Sequence, residues 1–124
     1  MIIGTDKRAE QVLEPFFAAA EGELLIVLHL GSVNRLLALT IEEQGSADEV
    51  ELPVPAILAK ALRIGARGLI LAHNHPSGDP TRSRADEAAT RALTAAAAHV
   101  EVRVHEHLVF GGGKWCSFRE LGLL

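Results

Sequence analysis

Apolar residues form short dense runs that predict buried strands. Leu24–Leu30 is apolar except for His29, a length and density typical of a strand buried on both faces. Turn residues follow at 31–34, and Leu36–Ile41 then predicts the return strand of a hairpin. Gly68–Ala72 is a further short apolar run and predicts another strand.

Three other segments are predicted to be helices: Asp6–Ala20, Pro53–Ile64 and Ser83–Ala98. Apolar residues recur at helical spacing in the first, where Asp6 is a candidate N-cap and Pro15 is expected to weaken the helix. Gly65 is placed to close the second helix as a C-cap. The third contains eight alanines between Ala85 and Ala98, and alanine is the strongest helix former.

The end of the chain predicts a closing hairpin. Glu101–Phe110 and Lys114–Phe118 flank three consecutive glycines, while Glu42–Glu51 is polar and is expected to be a loop. The order strand, strand, helix, strand, helix, strand favours an α/β or α+β sandwich, with helices covering a mixed sheet. A chain of 124 residues has the length of one domain, so residues 1–124 are interpreted as a single domain.

Composition narrows the classes of function. The single cysteine, Cys116, excludes an internal disulfide framework and any metal site built from several cysteines. The chain has no apolar run near the ~20 residues that cross a bilayer, and its first residues lack the order of a signal peptide, so we expect a cytoplasmic protein without membrane contact. The net charge is −4 and the basic residues are scattered, which argues against direct nucleic-acid binding.

The segment 73–86 carries the candidate chemistry. His73 and His75 are separated by one residue at a predicted strand end, so both side chains point to the same side. The turn that follows brings Asp86, in the first turn of the next helix, back towards them. Two imidazole nitrogens and one carboxylate make three protein ligands and leave a fourth position for water, the pattern of a catalytic zinc site.

Simpler interpretations stay open for several of these residues. Ser83 and Asp86 are close to the capping-box signature, in which a serine and an acid three residues later begin a helix. A second His-x-His pair, His105 and His107, lacks a downstream acid, and we expect it on the sheet surface or behind the ligands rather than on a metal. His29, inside the first strand, is interpreted as a core or edge histidine whose hydrogen bonds are satisfied.

The sequence of residues 73–86, HNHPSGDPTRSRAD, resembles the JAMM motif: His-x-His, seven residues, Ser, two residues, Asp. It looks like the RadC-like branch of the JAB/MPN metalloprotease superfamily in particular. Residues 61–63, Leu69–Ala72 and the ending 113–123 also resemble that family, so the likeness covers about residues 8–124. The resemblance implies a JAB/MPN-type α/β domain, a mixed sheet with flanking helices in a cytidine-deaminase-like layering.

The resemblance also implies roles for individual residues. One zinc ion per chain would be held by His73, His75 and Asp86 and would lower the pKa of a bound water. Glu23, immediately before the first strand, would act as the general base, with Glu21 as its near competitor. The hydroxyl of Ser83 would donate to the developing oxyanion. The expected activity is that of a zinc hydrolase, a metalloprotease or isopeptidase acting on a peptide or protein.

Some features depart from the family pattern. Many members carry an N-terminal helical DNA-binding-like module, which we do not expect in residues 1–124, and Gly45–Ala47 lacks the expected histidine nearby. Glu106-His107 stands where the family often has Asp-His. Other functions stay open: a DNA-repair accessory module, or a metal-bearing scaffold that recognises a partner without turnover. A homodimer is compatible with the sequence, whereas a zinc deaminase is excluded because its Pro-Cys-x-x-Cys element is missing.

Overall fold

The structure of the protein is a computed structural model that describes residues 1–43, 52–81 and 83–124. Its helices are α1 (Asp6–Ala18), α2 (Val54–Ile64) and α3 (Arg84–His99), with a short 3-10 helix at Ser32–Asn34. Its strands are β1 (Leu24–Leu30), β2 (Leu36–Glu43), β3 (Gly68–Asn74), β4 (Arg103–Gly111) and β5 (Lys114–Ser117).

The described strands form one mixed sheet in the order β2-β1-β3-β4-β5. β1 lies antiparallel to both β2 and β3, β3 lies parallel to β4, and β5 returns antiparallel to β4. The parallel pair needs a long crossover, which α3 supplies, as parallel neighbours generally require. The site described below lies at the end of β3, where the chain leaves the sheet towards α3.

Each face of the sheet has its own apolar core. On one face, Ala9 and Leu13 of α1 pack against the strands, and on the other α2 and α3 pack through Ile57, Leu93 and Ala97. The first six residues of β3 are buried, since helices cover both sides of this central strand. The chain is thus a small α/β domain with a mixed five-stranded sheet between described helices, as the element order predicts.

The N-terminal helix differs from its prediction in two ways. Thr5, rather than Asp6, is the N-cap: its hydroxyl accepts a hydrogen bond from the main-chain N–H of Arg8 at 3.1 Å. The helix ends at Ala18 instead of residue 20, and it continues through Pro15. Pro15 and Gln11, the residue whose carbonyl loses its helical donor, are both exposed, so water can satisfy that carbonyl.

Other boundaries shift by one to three residues. β3 extends past its predicted end to Asn74 and therefore contains His73, while β4 begins later, at Arg103. β2 includes residues 42 and 43, which were expected in a loop; the rest of that predicted loop, 44–51, lies outside the described residues. Gly65 ends α2 with a left-handed φ of 82°, as predicted. Within the described residues, no helix is long and apolar enough to span a membrane.

Candidate metal centre

His73 and His75 reach the same place, as strand alternation predicts. His73 lies near the end of β3, and the main-chain N–H of His75 donates to the carbonyl of Phe110 at 2.8 Å, so the chain still follows β4 at that point. The two Nε2 atoms are 3.1 Å apart. Both side chains are buried, with 0 % of His73 and 5 % of His75 exposed.

Asp86 completes the group from the first turn of α3. Its Oδ2 atom lies 3.3 Å from Nε2 of His75 and 3.7 Å from Nε2 of His73, and the residue is fully buried. In the described part of the chain, this trio is the one set of three or more His, Cys, Asp or Glu side chains close enough to share an ion.

The donor set fits zinc in number, type and spacing. Tetrahedral zinc with bonds of about 2.0–2.1 Å has ligand-to-ligand edges of about 3.3 Å. The separations of 3.1, 3.3 and 3.7 Å between the three donor atoms are close to that edge. Two imidazoles and one carboxylate are common zinc ligands and leave a fourth position open.

Asp86 belongs both to a capping box and to the group of metal-ligand candidates. The hydroxyl of Ser83 accepts from the main-chain N–H of Asp86, and Oδ2 of Asp86 accepts from the main-chain N–H of Ser83, both at 3.0 Å. That Oδ2 atom is also the one facing the two histidines. The two interpretations of Asp86 are therefore compatible, because the cap holds the carboxylate in the orientation that a ligand needs.

Both ligand histidines have a partner on the ring nitrogen that faces away from the centre. Nδ1 of His75 donates to the carbonyl of Asp79 at 2.8 Å, and Nδ1 of His73 lies 2.7 Å from Nε2 of His107. A carbonyl can only accept, so neutral His75 carries its proton on Nδ1 and keeps the lone pair of Nε2 for a metal.

His107 and Thr90 stand behind the ligands. Nδ1 of His107 lies 2.6 Å from the hydroxyl of Thr90, and complete burial lowers the pKa of His107 well below its ordinary value. The prediction that the second histidine pair lies behind the ligands is confirmed for His107, whereas His105 occupies a register irregularity in β4 and packs against Gly68. Thr90 was not predicted, although its position four residues after Asp86 places both on one helical face.

Glu23 lies immediately before β1, two residues ahead of Leu25, whose register partner is His73. It is 3 % exposed and both of its carboxylate oxygens are buried, whereas Glu21 is exposed. Asn74 bonds to the main chain on both sides of Glu23: its Oδ1 accepts from the N–H of Leu24 at 2.7 Å, and its Nδ2 donates to the carbonyl of Gly22 at 3.0 Å. Sequence reasoning missed Asn74, the residue between the two ligand histidines.

Comparison with known proteins shows the family to which this chain belongs. A family model described as the RadC-like JAB domain matches residues 3–123. The chain belongs to the RadC-like JAB domain family.

Its curated relatives carry the name UPF0758. The domain is 39 % identical over 123 residues to a UPF0758 protein of Methylibium petroleiphilum, covering 99 % of this chain and 55 % of that protein. It is 41 % identical over 107 residues to the UPF0758 protein YfjY of Escherichia coli, covering 86 % of this chain and 67 % of the relative. A UPF0758 protein of Rhodobacter capsulatus is 44 % identical over 98 residues, or 79 % of this chain and 46 % of its own length. The chain thus spans about half to two thirds of these relatives.

A cleft of about 1040 Å³ opens beside the centre of this RadC-like JAB domain. It runs between α1 and the β4–β5 hairpin, and His75 is the metal-ligand candidate that reaches its wall. Phe17 and Phe110 stack at 4.7 Å and Trp115 lies near them, so part of the wall is apolar. Three glutamates of the N-terminal segment, Glu10, Glu14 and Glu21, also line it.

His29 is fully buried in β1, as predicted for a core histidine, but its Nδ1 atom has no hydrogen-bond partner among the described residues, so it is only half satisfied. Its Nε2 atom lies 3.0 Å from the hydroxyl of Thr40 on β2, and burial, with a smaller effect from Lys60, lowers its pKa. These contacts give His29 a structural place in the sheet, away from the trio of ligand candidates.

Proposed function

We propose that this domain is a zinc-dependent hydrolase that cleaves peptide or isopeptide bonds. One observation carries the proposal: three donor atoms, Nε2 of His73, Nε2 of His75 and Oδ2 of Asp86, converge within 3.7 Å of one another. Three protein ligands with a fourth position open are typical of catalytic rather than structural zinc. The family membership and the buried Glu23 beside β3 add support.

The ligand trio would hold the zinc ion, which supplies Lewis acidity, lowering the pKa of water and polarising a carbonyl. Glu23 would accept the proton of the attacking water and later deliver it to the leaving amine. The hydroxyl of Ser83 accepts from the main-chain N–H of Asp86, and its own proton would stabilise a developing oxyanion. Asn74 would keep Glu23 in place through the main chain.

The cleft between α1 and the β4–β5 hairpin supports a peptide or protein as the substrate. His75 lines it, and the apolar wall around Phe17, Phe110 and Trp115 suits side chains of an extended segment. Three glutamates line it against one lysine, Lys114, and this acidic excess, with a net charge of −4 for the chain, would repel nucleic-acid phosphates. This charge pattern favours a peptide hydrolase over a module that binds DNA directly.

The burial of Glu23 favours an enzyme over a metal-bearing scaffold. Glu23 is 3 % exposed, and Asn74, which lies between the two ligand histidines, bonds to the main chain on both sides of it, so the acid is held next to the segment that carries the ligand candidates. A scaffold that only recognises a partner requires no buried acid beside its metal. A hydrolase requires a general base at that place.

The test begins with metal content and then turns to cleavage. Purified protein should contain about one zinc per chain, and His73→Ala should abolish binding while His105→Ala leaves it unchanged. Mixtures of peptides and of isopeptide-linked peptides, analysed by mass spectrometry, should yield fragments with the wild type and none with His73→Ala. Stoichiometric zinc without any cleavage across both mixtures would favour the scaffold, and the absence of zinc would reject the proposal.

A further inference from the structure

Thr90 and His107, behind the ligand trio, form a continuous chain of contacts that runs from Asp86 to His73. The hydroxyl of Thr90 donates to the main-chain carbonyl of Asp86 at 2.8 Å and lies 2.6 Å from Nδ1 of His107. Nε2 of His107 lies 2.7 Å from Nδ1 of His73. All four residues are at most 1 % exposed, so bulk water does not compete for these bonds.

The direction of each bond follows from the first one. Because the hydroxyl proton of Thr90 goes to the carbonyl, its oxygen must accept from His107, which places the proton of that imidazole on Nδ1. A neutral imidazole then has only a lone pair on Nε2, so His73 must donate to it from Nδ1. This leaves the lone pair of His73 on Nε2, the atom that faces His75 and Asp86.

We infer that Thr90 and His107 are positioning residues whose relay holds His73 in the tautomer that a metal requires. The inference deepens the proposed function and rests on it. Thr90 and His107 do not touch the open coordination position; they act through His73. The relay also begins on the main chain of Asp86, so it connects two of the three ligand candidates through α3 and β4.

The position of His73 explains why a side chain, rather than a main-chain carbonyl, accepts its Nδ1 proton. His75 has left the strand and finds a main-chain carbonyl, that of Asp79, for its Nδ1 proton. His73 lies within β3 between two hydrogen-bonded neighbours, β1 and β4, whose carbonyls serve the sheet. The ring of His107 stacks on Phe118 at 4.5 Å with an interplanar angle of 28°, which fixes its plane towards His73.

Two variants break the relay at different bonds. Thr90→Val keeps the shape of the side chain and removes the hydroxyl that orients His107. His107→Phe keeps an aromatic ring over Phe118 and removes the acceptor for His73. Thr94→Val is the matched control, because Thr94 makes the same bond to the carbonyl four residues earlier, at 2.8 Å, without contacting an imidazole. His105→Phe is the control for an imidazole lost from β4.

The first measurement is the protonation of each ring nitrogen by ¹⁵N NMR in the metal-free protein. We expect His73 and His107 both to carry their proton on Nδ1, and Thr90→Val to redistribute the proton of His107. The second is zinc affinity by competition with a chromophoric chelator. Thr90→Val and His107→Phe should each weaken binding about 10–100-fold, as is usual for a partner behind a ligand, while both controls bind like the wild type.

Two results would overturn the relay: a proton on Nε2 of His73 in the wild type, or wild-type zinc affinity in both Thr90→Val and His107→Phe. A wild-type protein that takes up no zinc would reject the proposed function instead. In that case the NMR measurement on the metal-free protein still decides whether the relay sets the tautomer of His73.

Discussion

At the scale of single residues, Asp86 shows how one atom can serve structure and chemistry together. Its Oδ2 atom accepts the main-chain N–H of Ser83 at 3.0 Å and lies 3.3 Å from Nε2 of His75. The start of α3 therefore depends on the same carboxylate that would bind the metal. Substitutions that keep or remove the acceptor can separate these two contributions.

Asp86→Asn should keep the cap and lose the metal. The amide oxygen can still accept from Ser83, so the free energy of unfolding of the metal-free protein should change little, whereas Asp86→Ala should lower it by about 1 kcal/mol. Zinc affinity should fall in both variants by more than the ~10–100-fold cost of losing a partner behind a ligand. Urea unfolding and chelator competition measure the two effects, and unchanged zinc affinity in Asp86→Asn would contradict the assignment of Asp86 as a ligand.

Glu23 is the other residue whose chemistry can be isolated. Glu23→Gln is nearly isosteric and leaves the ligand trio intact, so zinc content and fold should persist. Turnover of a substrate that the wild type cleaves should fall about 10²–10⁴-fold, because a positioned general base is lost. Glu120→Gln, at an exposed position that does not line the cleft, is the control and should turn over like the wild type. Equal rates for Glu23→Gln and the wild type would reject the role of Glu23.

At the scale of elements, the end of β4 supports the loop that follows β3. Gly111 approaches this loop so closely that an added Cβ would lie 2.9 Å from main-chain atoms of Gly78 and Asp79. The carbonyl of Asp79 accepts the Nδ1 proton of His75 at 2.8 Å. The absence of a side chain at Gly111 therefore lets the strand and loop come together in a way that orients a ligand.

Gly111→Ala should weaken both the fold and zinc binding, although Gly111 is not a metal-ligand candidate. The new methyl group must push the loop away, at a cost of about 1–3 kcal/mol in the free energy of unfolding. Since the displaced carbonyl orients His75, zinc affinity should also fall, by about tenfold. Gly4→Ala is the control, because its Cβ would meet no atom within 4 Å. Wild-type stability and zinc affinity in Gly111→Ala would show that the loop tolerates the displacement.

At the scale of the whole molecule, the buried acid Glu106 belongs to a cluster of hydrogen bonds that connects the C-terminal strands to the first helix. Oε1 of Glu106 accepts the main-chain N–H groups of His107 and Arg119 at 2.9 and 3.0 Å, and Oε2 accepts the hydroxyl of Ser117 at 2.6 Å. Arg119 in turn reaches Asp6 of α1 at 2.7 Å. This cluster joins β4 and β5 to the first helix.

Glu106→Gln should change how stability depends on pH. Burial, the largest effect on this group, raises the pKa of Glu106 above its ordinary value of 4.5. The folded state therefore favours the protonated acid, whose contribution to stability is full below pH 4.5 and is lost as the pH rises through the folded-state pKa. Glutamine keeps the acceptor for both main-chain N–H groups and does not titrate.

Urea unfolding of the wild type and Glu106→Gln from about pH 4 to about pH 7 measures this effect. The wild type should lose stability relative to the variant as the pH rises, while Glu120→Gln, at an exposed position, should follow the wild type. A difference between Glu106→Gln and the wild type that stays constant with pH, or has the opposite sign, would contradict the prediction.

Local patterns in the sequence determined most elements and the ligand candidates. The apolar run Leu24–Leu30 is β1 with the predicted bounds, and Gly65 ends α2, because strand burial and left-handed backbone are set by neighbouring residues. The alternation of a strand predicted that His73 and His75 share a side, and the spacing to Asp86 predicted that the three converge. Their donor atoms lie 3.1–3.7 Å apart in the structure. Each of these inferences concerns residues that are close in sequence, within one strand, turn and helix.

Tertiary structure alone decided which groups stand behind the ligands. The register of β4 is irregular between the pairs Leu69–Val104 and Ile70–Glu106, where β4 contains one extra residue. Beyond this point each side chain of β4 points to the opposite face of the sheet, so that His107 rather than Glu106 faces Thr90. Regular alternation read from the sequence would place these side chains on the opposite faces. The relay from Thr90 to His73 joins α3, β4 and β3, and its partners lie up to 34 residues apart. Such bonds depend on register and packing between distant segments, and no local pattern encodes them.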